Sequence, residues 1–487
     1  MKNILKYITL LTVALLLTSC EEYLDVNTDP NNPTSVTPDL VLPVAQKYTG
    51  ELIQQDRRIS HLGGMMMYNW SQSDGFSWYT DEFKYNVTST FYQNIFELSY
   101  SNALKQYQVL ATLEDESMDN YKAIGMIMKV YHFQILVDMY GDIPYSEALL
   151  RKDNATPVYD NAQTVYADLI VQLTAAIDMI KNAVVPVVPG EDDCMFEGDM
   201  TSWIQFANTL KMRILVRESD VRDVSADIAA IVSEGSGFIT DDVLVNPGYA
   251  VEEAKQNPLW DDLGWDAGGS QTLSSQATCA TDYIIGYLSG TYDPRIDYIY
   301  ERPETGHLGV PQGLLDYDTP VPDAYVVDLV SNIGPGILKS GTMGACIFTV
   351  AEDYFNRAEL VQKGDMGGDA KALYEAGVQA SFDYLGASGA AAYYSQAVPL
   401  VGWNSSGGQE LEAIITQKWI AVNGITAEQS WFDYSRTGFP SNLPISLLAS
   451  TPDRPVRLFY ISDEISANGA NVPAQPNAFT DKIFWAQ

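Results

Sequence analysis

A run of aromatic residues among polar ones, at positions 65–96, carries the side chains best suited to binding a ligand. Trp70, Phe76, Trp78 and Tyr79 lie there among Asn, Gln, Ser and Asp residues. The apolar C–H faces of a sugar ring pack on flat aromatic side chains, while amide and carboxylate groups bind its hydroxyls. The run therefore predicts an oligosaccharide-binding surface. A peptide groove would use a similar mixture, and so would rings that simply close the gap between the first helices.

A second pair of tryptophans, Trp260 and Trp265, is a further candidate for the same surface. Asp261, Asp262 and Gly264 stand between the two rings, so flat apolar faces and hydroxyl-binding groups again occur together. This spacing predicts a second part of a ligand-binding surface. Packing of both rings in the interior is the competing interpretation.

Sequence motifs for covalent chemistry are not found. The chain has no Gly-x-Ser-x-Gly elbow, no Walker loop, no Gly-x-Gly-x-x-Gly and no His-Glu-x-x-His. A glycosidase needs only two carboxylates at a suitable separation, and a chain with 63 acidic residues provides such pairs by chance. We therefore predict a binding protein and no enzyme, with a surface glycosidase as the rival hypothesis.

The charge of the chain is strongly negative, with 63 Asp and Glu against 28 Lys and Arg and a formal charge of −35. Nucleic-acid binding depends on basic surface, so no nucleic-acid partner is expected. Acidic clusters such as Glu191-Asp192-Asp193 and Asp241-Asp242 have the ligand type for a structural Ca²⁺. Solvated surface is the simpler interpretation, and we predict no cofactor.

The N-terminus predicts export. Lys2 and Lys6 precede an apolar run of eleven residues, Tyr7–Leu17, whereas a membrane-spanning helix needs about 20. This pattern predicts a signal peptide over residues 1–19. The run ends in Leu-Thr-Ser before Cys20, which resembles a bacterial lipobox and implies a lipid on Cys20.

A lipid on Cys20 would anchor the protein in the outer membrane, with residues 20–37 as a polar tether. Glu21 and Glu22 directly after the cysteine resemble the surface-export signal of Bacteroidetes lipoproteins. The resemblance implies that the folded part faces the cell exterior.

Helical periodicity dominates the rest of the chain. Apolar stripes predict helices at 121–140, after Asp160, after Ser202, and at 350–363, 368–385 and 409–422. Asp160 with Gln163 and Ser202 with Gln205 have the pattern of capping boxes. Helix pairs with short links resemble tetratricopeptide stacking.

Residues 236–348 interrupt this pattern because Gly, Pro, Asp and Tyr are frequent there. We expect a loop-rich insertion in this range with one helix around 277–289. The prediction is a mostly α fold: a single helical domain over residues 38–487 whose scaffold carries this excursion.

Sequence blocks spread over the chain resemble the SusD/RagB family of outer-membrane nutrient-binding lipoproteins. They are YGDIPYSEAL (Tyr140–Leu149), WIQFANTLKMRILVR (Trp203–Arg217), DYFNRAELVQKG (Asp353–Gly364), QKWIAVNG (Gln417–Gly424), WFDYSRTGFP (Trp431–Pro440) and RLFYISDEISANGANV (Arg457–Val472). Ile461 departs from the family, where a proline is usual. The opening DVNTDPNNPT, Asp25–Thr34, is similar to the second SusD-like subfamily.

This resemblance implies a SusD-like, mostly α-helical fold that lies over a SusC-like TonB-dependent transporter barrel. Members capture oligosaccharides, or peptides in the RagB branch, and perform no covalent chemistry. Their ligand sites vary between members, so the resemblance transfers none of the aromatic candidates. A subunit that mainly stabilises the transporter is a third hypothesis. We expect four arginines of the blocks to tie the scaffold together: Arg213, Arg217, Arg357 and Arg436.

Overall fold

The computed structural model describes residues 37–315 and 323–486. The predicted signal peptide, Cys20, and all of the predicted tether except residue 37 lie outside these ranges. No helix in the described ranges is long and apolar enough to cross a membrane.

Helices form most of the regular structure. In chain order they are α1 (Pro38–Gln54), α2 (Ile59–Met66), α3 (Thr80–Lys84), α4 (Gln93–Leu98), α5 (Lys105–Ala111), α6 (Asp119–Tyr140), α7 (Ala162–Asn182), α8 (Met200–Glu218), α9 (Ser225–Glu234), α10 (Pro258–Leu263), α11 (Leu273–Ala277), α12 (Asp282–Gly290), α13 (Ile296–Ile299), α14 (Val350–Lys363), α15 (Ala370–Leu385), α16 (Ala390–Tyr394), α17 (Glu410–Ala421), α18 (Glu428–Thr437) and α19 (Ser462–Asn468). A π-helical turn, Ser99–Leu104, links α4 to α5.

The strands are short, and they form two-stranded antiparallel pairs. They are β1 (Trp70–Gln72), β2 (Ile143–Pro144), β3 (Tyr159–Asp160), β4 (Val243–Val245), β5 (Thr278–Ala280) and β6 (Ala345–Phe348). β1 pairs with β5, β2 with β3, and β4 with β6.

The scaffold is a continuous series of packed helices. α6 packs on α7, α7 on α8, α8 on α14, and α14 on α15 and α17. This confirms the prediction of a mostly α fold built from tetratricopeptide-like helix pairs. The periodic stripes of α6, α14, α15 and α17 were predicted to within about two residues, since the buried face of a long helix repeats locally in sequence.

Two predicted caps are wrong. α7 is capped by Asn161, whose side chain accepts from the Gln163 N–H, and Asp160 instead accepts hydrogen bonds from the loop after α6. α8 is capped by Asp199, to which the Ser202 hydroxyl donates at 2.8 Å. In both helices the capping side chain is the one that reaches the free N–H groups of the first turn: Asn161 in α7 and Asp199 in α8.

Buried ion pairs tie the helices together. Arg217 on α8 pairs with Asp433 on α18 at 2.6 Å and with Asp138 on α6 at 3.7 Å. Arg436 on α18 pairs with Glu359 on α14 at 2.6 Å. Arg213 on α8 pairs in the same way with Glu352 on α14, whereas Arg357 pairs with Asp353 one turn away within α14. The prediction that these arginines act within the scaffold is confirmed.

The loop-rich insertion is closed at its base. β4 near its start pairs with β6 at its end, so the chain leaves the scaffold and returns to it at one place. Between these strands lie α10 to α13 and β5. The prediction of one helix around 277–289 therefore gave too few elements for this region. α12 ends close to the predicted boundary, but residues 278–280 form β5 because they pair with β1 about 200 residues away.

Candidate ligand-binding site

A four-residue turn between α1 and α2, residues 55–58, organises the candidate site. The Asp56 backbone N–H donates to the Asp262 carboxylate at 3.0 Å, and this bond joins the turn to α10. The Asp56 carboxylate lies 2.7 Å from His61 Nδ1 and accepts from the Ser274 hydroxyl at 3.1 Å. The turn is therefore fixed from three sides.

The first aromatic pair, Phe76 and Trp78, lies against this turn. The two partly exposed rings meet edge to face with centroids 5.3 Å apart. Arg57 donates to the Trp78 carbonyl at 3.2 Å, and its guanidinium lies 6.0 Å from the Trp78 ring centre. Buried Gln72 holds the loop from inside, donating to the Phe76 carbonyl at 2.9 Å and accepting from the Trp78 N–H at 3.1 Å. The pair is thus presented on a rigid support.

The second aromatic pair, Trp260 and Trp265, lies on and just after α10. Both rings are partly exposed, and their centroids are 4.8 Å apart. Asn257 caps the helix by accepting from the Trp260 N–H at 3.1 Å, and its own amide donates to the Met343 carbonyl at 3.1 Å. Buried Gln256 donates to the Trp265 carbonyl at 3.0 Å.

A polar cleft of about 430 Å³ opens beside α10. Its walls come from the second half of α1, from the loop at 247–249 and from the start of α10. Hydrogen-bonding side chains line it: Lys47, Glu51, Gln55, Gln256, Asp261 and Asp262. Pockets of this size hold small ligands, and the amide and carboxylate groups suit hydroxyls.

The two carboxylates that join the turn to α10 have opposite electrostatic settings. Although burial raises the pKa of Asp56, the neighbouring His61 and Arg57 lower it to about 2. Burial raises the pKa of Asp262 to about 6, against the lowering effect of the hydrogen bond from the Asp56 N–H and with a smaller raising effect from the Asp56 charge. Asp262 is therefore the carboxylate whose charge depends on pH in the neutral to mildly acidic range.

Two of the predicted site residues do not belong to the surface. Trp70 is only 1% exposed, because every residue of β1 is covered by β5 and by the helices around it. Tyr79 is fully buried, and its hydroxyl is 2.7 Å from the Thr278 hydroxyl. Both rings close the gap between the first helices, so their assignment to a ligand surface is wrong.

Sequence reasoning also missed the turn itself. Asp56 and Arg57 connect the two aromatic pairs, yet neither was a candidate. A signal is present, since Arg57 and Arg58 form the only Arg-Arg pair in a strongly acidic chain, and they lie between two apolar helices.

Two residues of the acidic clusters that were weighed as Ca²⁺ ligands, Asp193 and Asp242, make hydrogen bonds within the fold. Asp193 accepts from Gln46 Nε2 at 2.7 Å and from Trp203 Nε1 at 2.8 Å, and Asp242 accepts from the Val350 N–H at 2.9 Å. Among the described residues, no group of three or more His, Cys, Asp and Glu is placed to hold a metal ion.

These features define a class of protein: a helical scaffold that presents rigid, partly exposed aromatic pairs beside a polar cleft. The chain belongs to the second SusD-like family, whose model, described as "Starch-binding associating with outer membrane", matches residues 30–460. The resemblance found in the sequence blocks is confirmed.

Solved structures share this fold over nearly the whole chain. A chitin-binding SusD homolog from Flavobacterium johnsoniae has a TM-score of 0.77 at 22% identity, covering 92% of this chain and 98% of that one. For a SusD homolog from Bacteroides vulgatus the TM-score is 0.75 at 22% identity, with 92% and 97% covered. For one from Bacteroides thetaiotaomicron it is 0.71 at 22% identity, with 93% and 99% covered. No curated protein matches the chain significantly.

Proposed function

We propose that the protein is a cell-surface binding protein that captures oligosaccharides and passes them to a SusC-like TonB-dependent transporter in the outer membrane. The observation that carries the proposal is the pair of partly exposed aromatic clusters, Phe76–Trp78 and Trp260–Trp265, held by one turn. The family description and two structural relatives described as chitin-binding support a glycan as the ligand.

The arrangement suits a sugar chain because stacking rings and hydrogen-bonding groups occur together, as with Trp260, Asp261 and Asp262 on α10. Each aromatic pair offers flat apolar area at little conformational cost, and the cleft beside α10 supplies amide and carboxylate groups for hydroxyls. No covalent step is part of this proposal. The same mixture would also hold a peptide, which is the second candidate function.

We infer that Cys20 carries a lipid and that the folded domain faces the cell exterior. The lipobox-like segment and the acidic pair Glu21-Glu22 support this inference. Two or more acyl chains anchor a protein stably, whereas one binds only marginally. A lipidated Cys20 would keep the binding surface next to its transporter.

The experiment is isothermal titration of the purified protein with chitin and starch oligosaccharides and with peptides, followed by chromatography of each ligand. We expect saturable binding of an oligosaccharide that is recovered unchanged, weakened about tenfold by Trp78→Ala. Tyr292→Asn, at an aromatic side chain that is 80% exposed and has no part in the proposed site, is the matched control and should leave binding unchanged.

Other results would point elsewhere. Shortened products would identify a glycosidase. Binding of peptides alone would identify a RagB-type receptor. Tight association with the transporter barrel, with no ligand bound by the protein alone or by the complex, would identify a structural subunit.

A further inference from the structure

A second cleft, of about 400 Å³, lies between the end of α18 and the C-terminal segment. It is separate from the aromatic site, and the residues that matter for its chemistry are Tyr434, Arg436, Asp453, Arg454 and Lys482. Three of these are basic and one is acidic, in a chain whose formal charge is −35. This local excess of positive charge is unusual for the protein.

Arg454 is the central group of this cleft. Its side chain is 4% exposed, and Nη2 donates to the Pro444 carbonyl at 2.6 Å. The guanidinium lies 4.7 Å from the centre of the Tyr434 ring, which provides a cation–π contact. Within the described ranges, no acceptor lies within hydrogen-bonding distance of Nε or Nη1.

Four other buried arginines have carboxylate partners: Arg213, Arg217, Arg295 and Arg436. Arg217 pairs with Asp433 at 2.6 Å, and Arg295 pairs with Asp293 at 2.7 Å. A buried charge without a counter-charge is costly, and guanidinium groups usually satisfy that need with carboxylates or phosphates. Arg454 retains N–H donors that a ligand anion would satisfy.

The charged residues described around Arg454 provide no acceptor for its Nε and Nη1 donors. Arg436 is occupied by Glu359, at 2.6 Å, and by Asp433. Asp453 and Lys482 are both exposed at the rim, where solvent screens their charges. The C-terminus of α18 offers the guanidinium a favourable dipole but places no acceptor on Nε or Nη1.

We propose that this cleft binds a small oxyanion, a carboxylate or a sulfate or phosphate group, through the unused donors of Arg454. Both nitrogens are buried and Arg454 lines the cleft, so the proposal requires side chains at the cleft mouth to move when the anion binds. The anion could be free in solution or belong to an acidic saccharide. The proposal does not depend on the aromatic site, which binds by stacking.

The test measures binding of sodium sulfate, sodium phosphate and sodium glucuronate by calorimetry and thermal unfolding, against sodium chloride at equal ionic strength. We expect a saturable heat and a concentration-dependent rise in the unfolding midpoint for at least one oxyanion. Arg454→Gln should weaken the binding about tenfold or more, while Arg454→Lys should retain part of it because it keeps the charge. Arg302→Gln, at a side chain 64% exposed, is the control.

Response to glucuronate alone would assign the site to acidic saccharides, and response to sulfate or phosphate would assign it to those groups. Sulfate stabilises many proteins by exclusion from their surfaces, so an equal shift in wild type and Arg454→Gln would overturn the proposal. Absence of saturable heat in the wild type would overturn it even if the variant does not fold. Trp78→Ala should leave oxyanion binding unchanged, which separates this result from the proposed function.

Discussion

The backbone N–H of Asp56 donates a 3.0 Å hydrogen bond to the Asp262 carboxylate, and this single contact joins the supports of both aromatic pairs. Arg57, the next residue, contacts Trp78, and Trp260 lies two positions before Asp262 on the same short helix. A ligand that bridges the two pairs would therefore rest on one rigid unit. Rigidity of this kind lowers the entropic cost of binding.

The Asp262 carboxylate should make stability depend on pH. Burial raises its pKa from the ordinary 3.8 to about 6, so the folded state holds the proton more tightly than the unfolded state does. The penalty for the charged form is absent below about pH 4 and complete above about pH 7, so stability falls as pH rises through this range.

Asp262→Asn keeps an oxygen acceptor for the Asp56 N–H and removes the charge. We expect it to raise the free energy of unfolding by about 1–2 kcal/mol at pH 8 and to leave it unchanged at pH 4, measured by urea denaturation. Glu253→Gln, at an exposed carboxylate of the same insertion, should change neither value. Equal effects of Asp262→Asn at both pH values would contradict the raised pKa.

Trp70 and Trp78 should separate stability from binding. Trp70→Ala empties a fully packed position and should lower the free energy of unfolding by about 3–5 kcal/mol. Trp78→Ala should cost much less stability because its ring is partly exposed, and should instead weaken ligand binding. Denaturation curves of the two variants measure this directly. A large stability loss for Trp78→Ala and a small one for Trp70→Ala would reverse the assignment.

The buried ion pairs should be essential for the scaffold. Arg217→Met leaves Asp433 and Asp138 buried with less counter-charge, and should lower the free energy of unfolding by about 3–5 kcal/mol. The matched control is Lys255→Met, whose partner Glu252 is 61% exposed; its effect should be below about 1 kcal/mol. Similar small effects of both variants would mean that the interior pairs contribute little.

Acid should weaken the same network. Against the effect of burial, Lys418, Arg217 and Arg436 hold the pKa of Asp433 well below its usual range. The stability that this carboxylate contributes is therefore complete above about pH 4 and is lost as pH falls further. Asp433→Asn should show a smaller loss of stability than wild type between pH 5 and about pH 3, read from thermal midpoints. An unchanged pH profile would contradict this assignment.

The sequence predicted the helices better than the site because the two depend on different ranges of contact. The stripe of α6 repeats every three or four residues, so a short window contains the information. The burial of Trp70 depends on pairing with Ala280, and nothing near Trp70 in the chain reveals that partner. Composition could therefore identify aromatic candidates but could not tell the covered rings from the open ones.

The capping errors have a similar cause. Asp160 and Asn161 are neighbours, and either could cap α7 by residue type. The Asp160 carboxylate accepts hydrogen bonds from the loop after α6, so Asn161 caps the helix instead. Arg454 could not be identified from sequence either, since its lack of a partner follows from which side chains surround it.

The most direct test is a double-mutant cycle for oligosaccharide binding with Trp78→Ala, Trp260→Ala and the combined variant, measured by calorimetry on a series of chain lengths. We expect each single variant to weaken binding of the longest ligand about tenfold. For a short ligand that reaches only one aromatic pair, the variant in the other pair should have the smaller effect. Long and short oligosaccharides bound equally well by the wild type and all three variants would contradict a stacking surface formed by the two aromatic pairs.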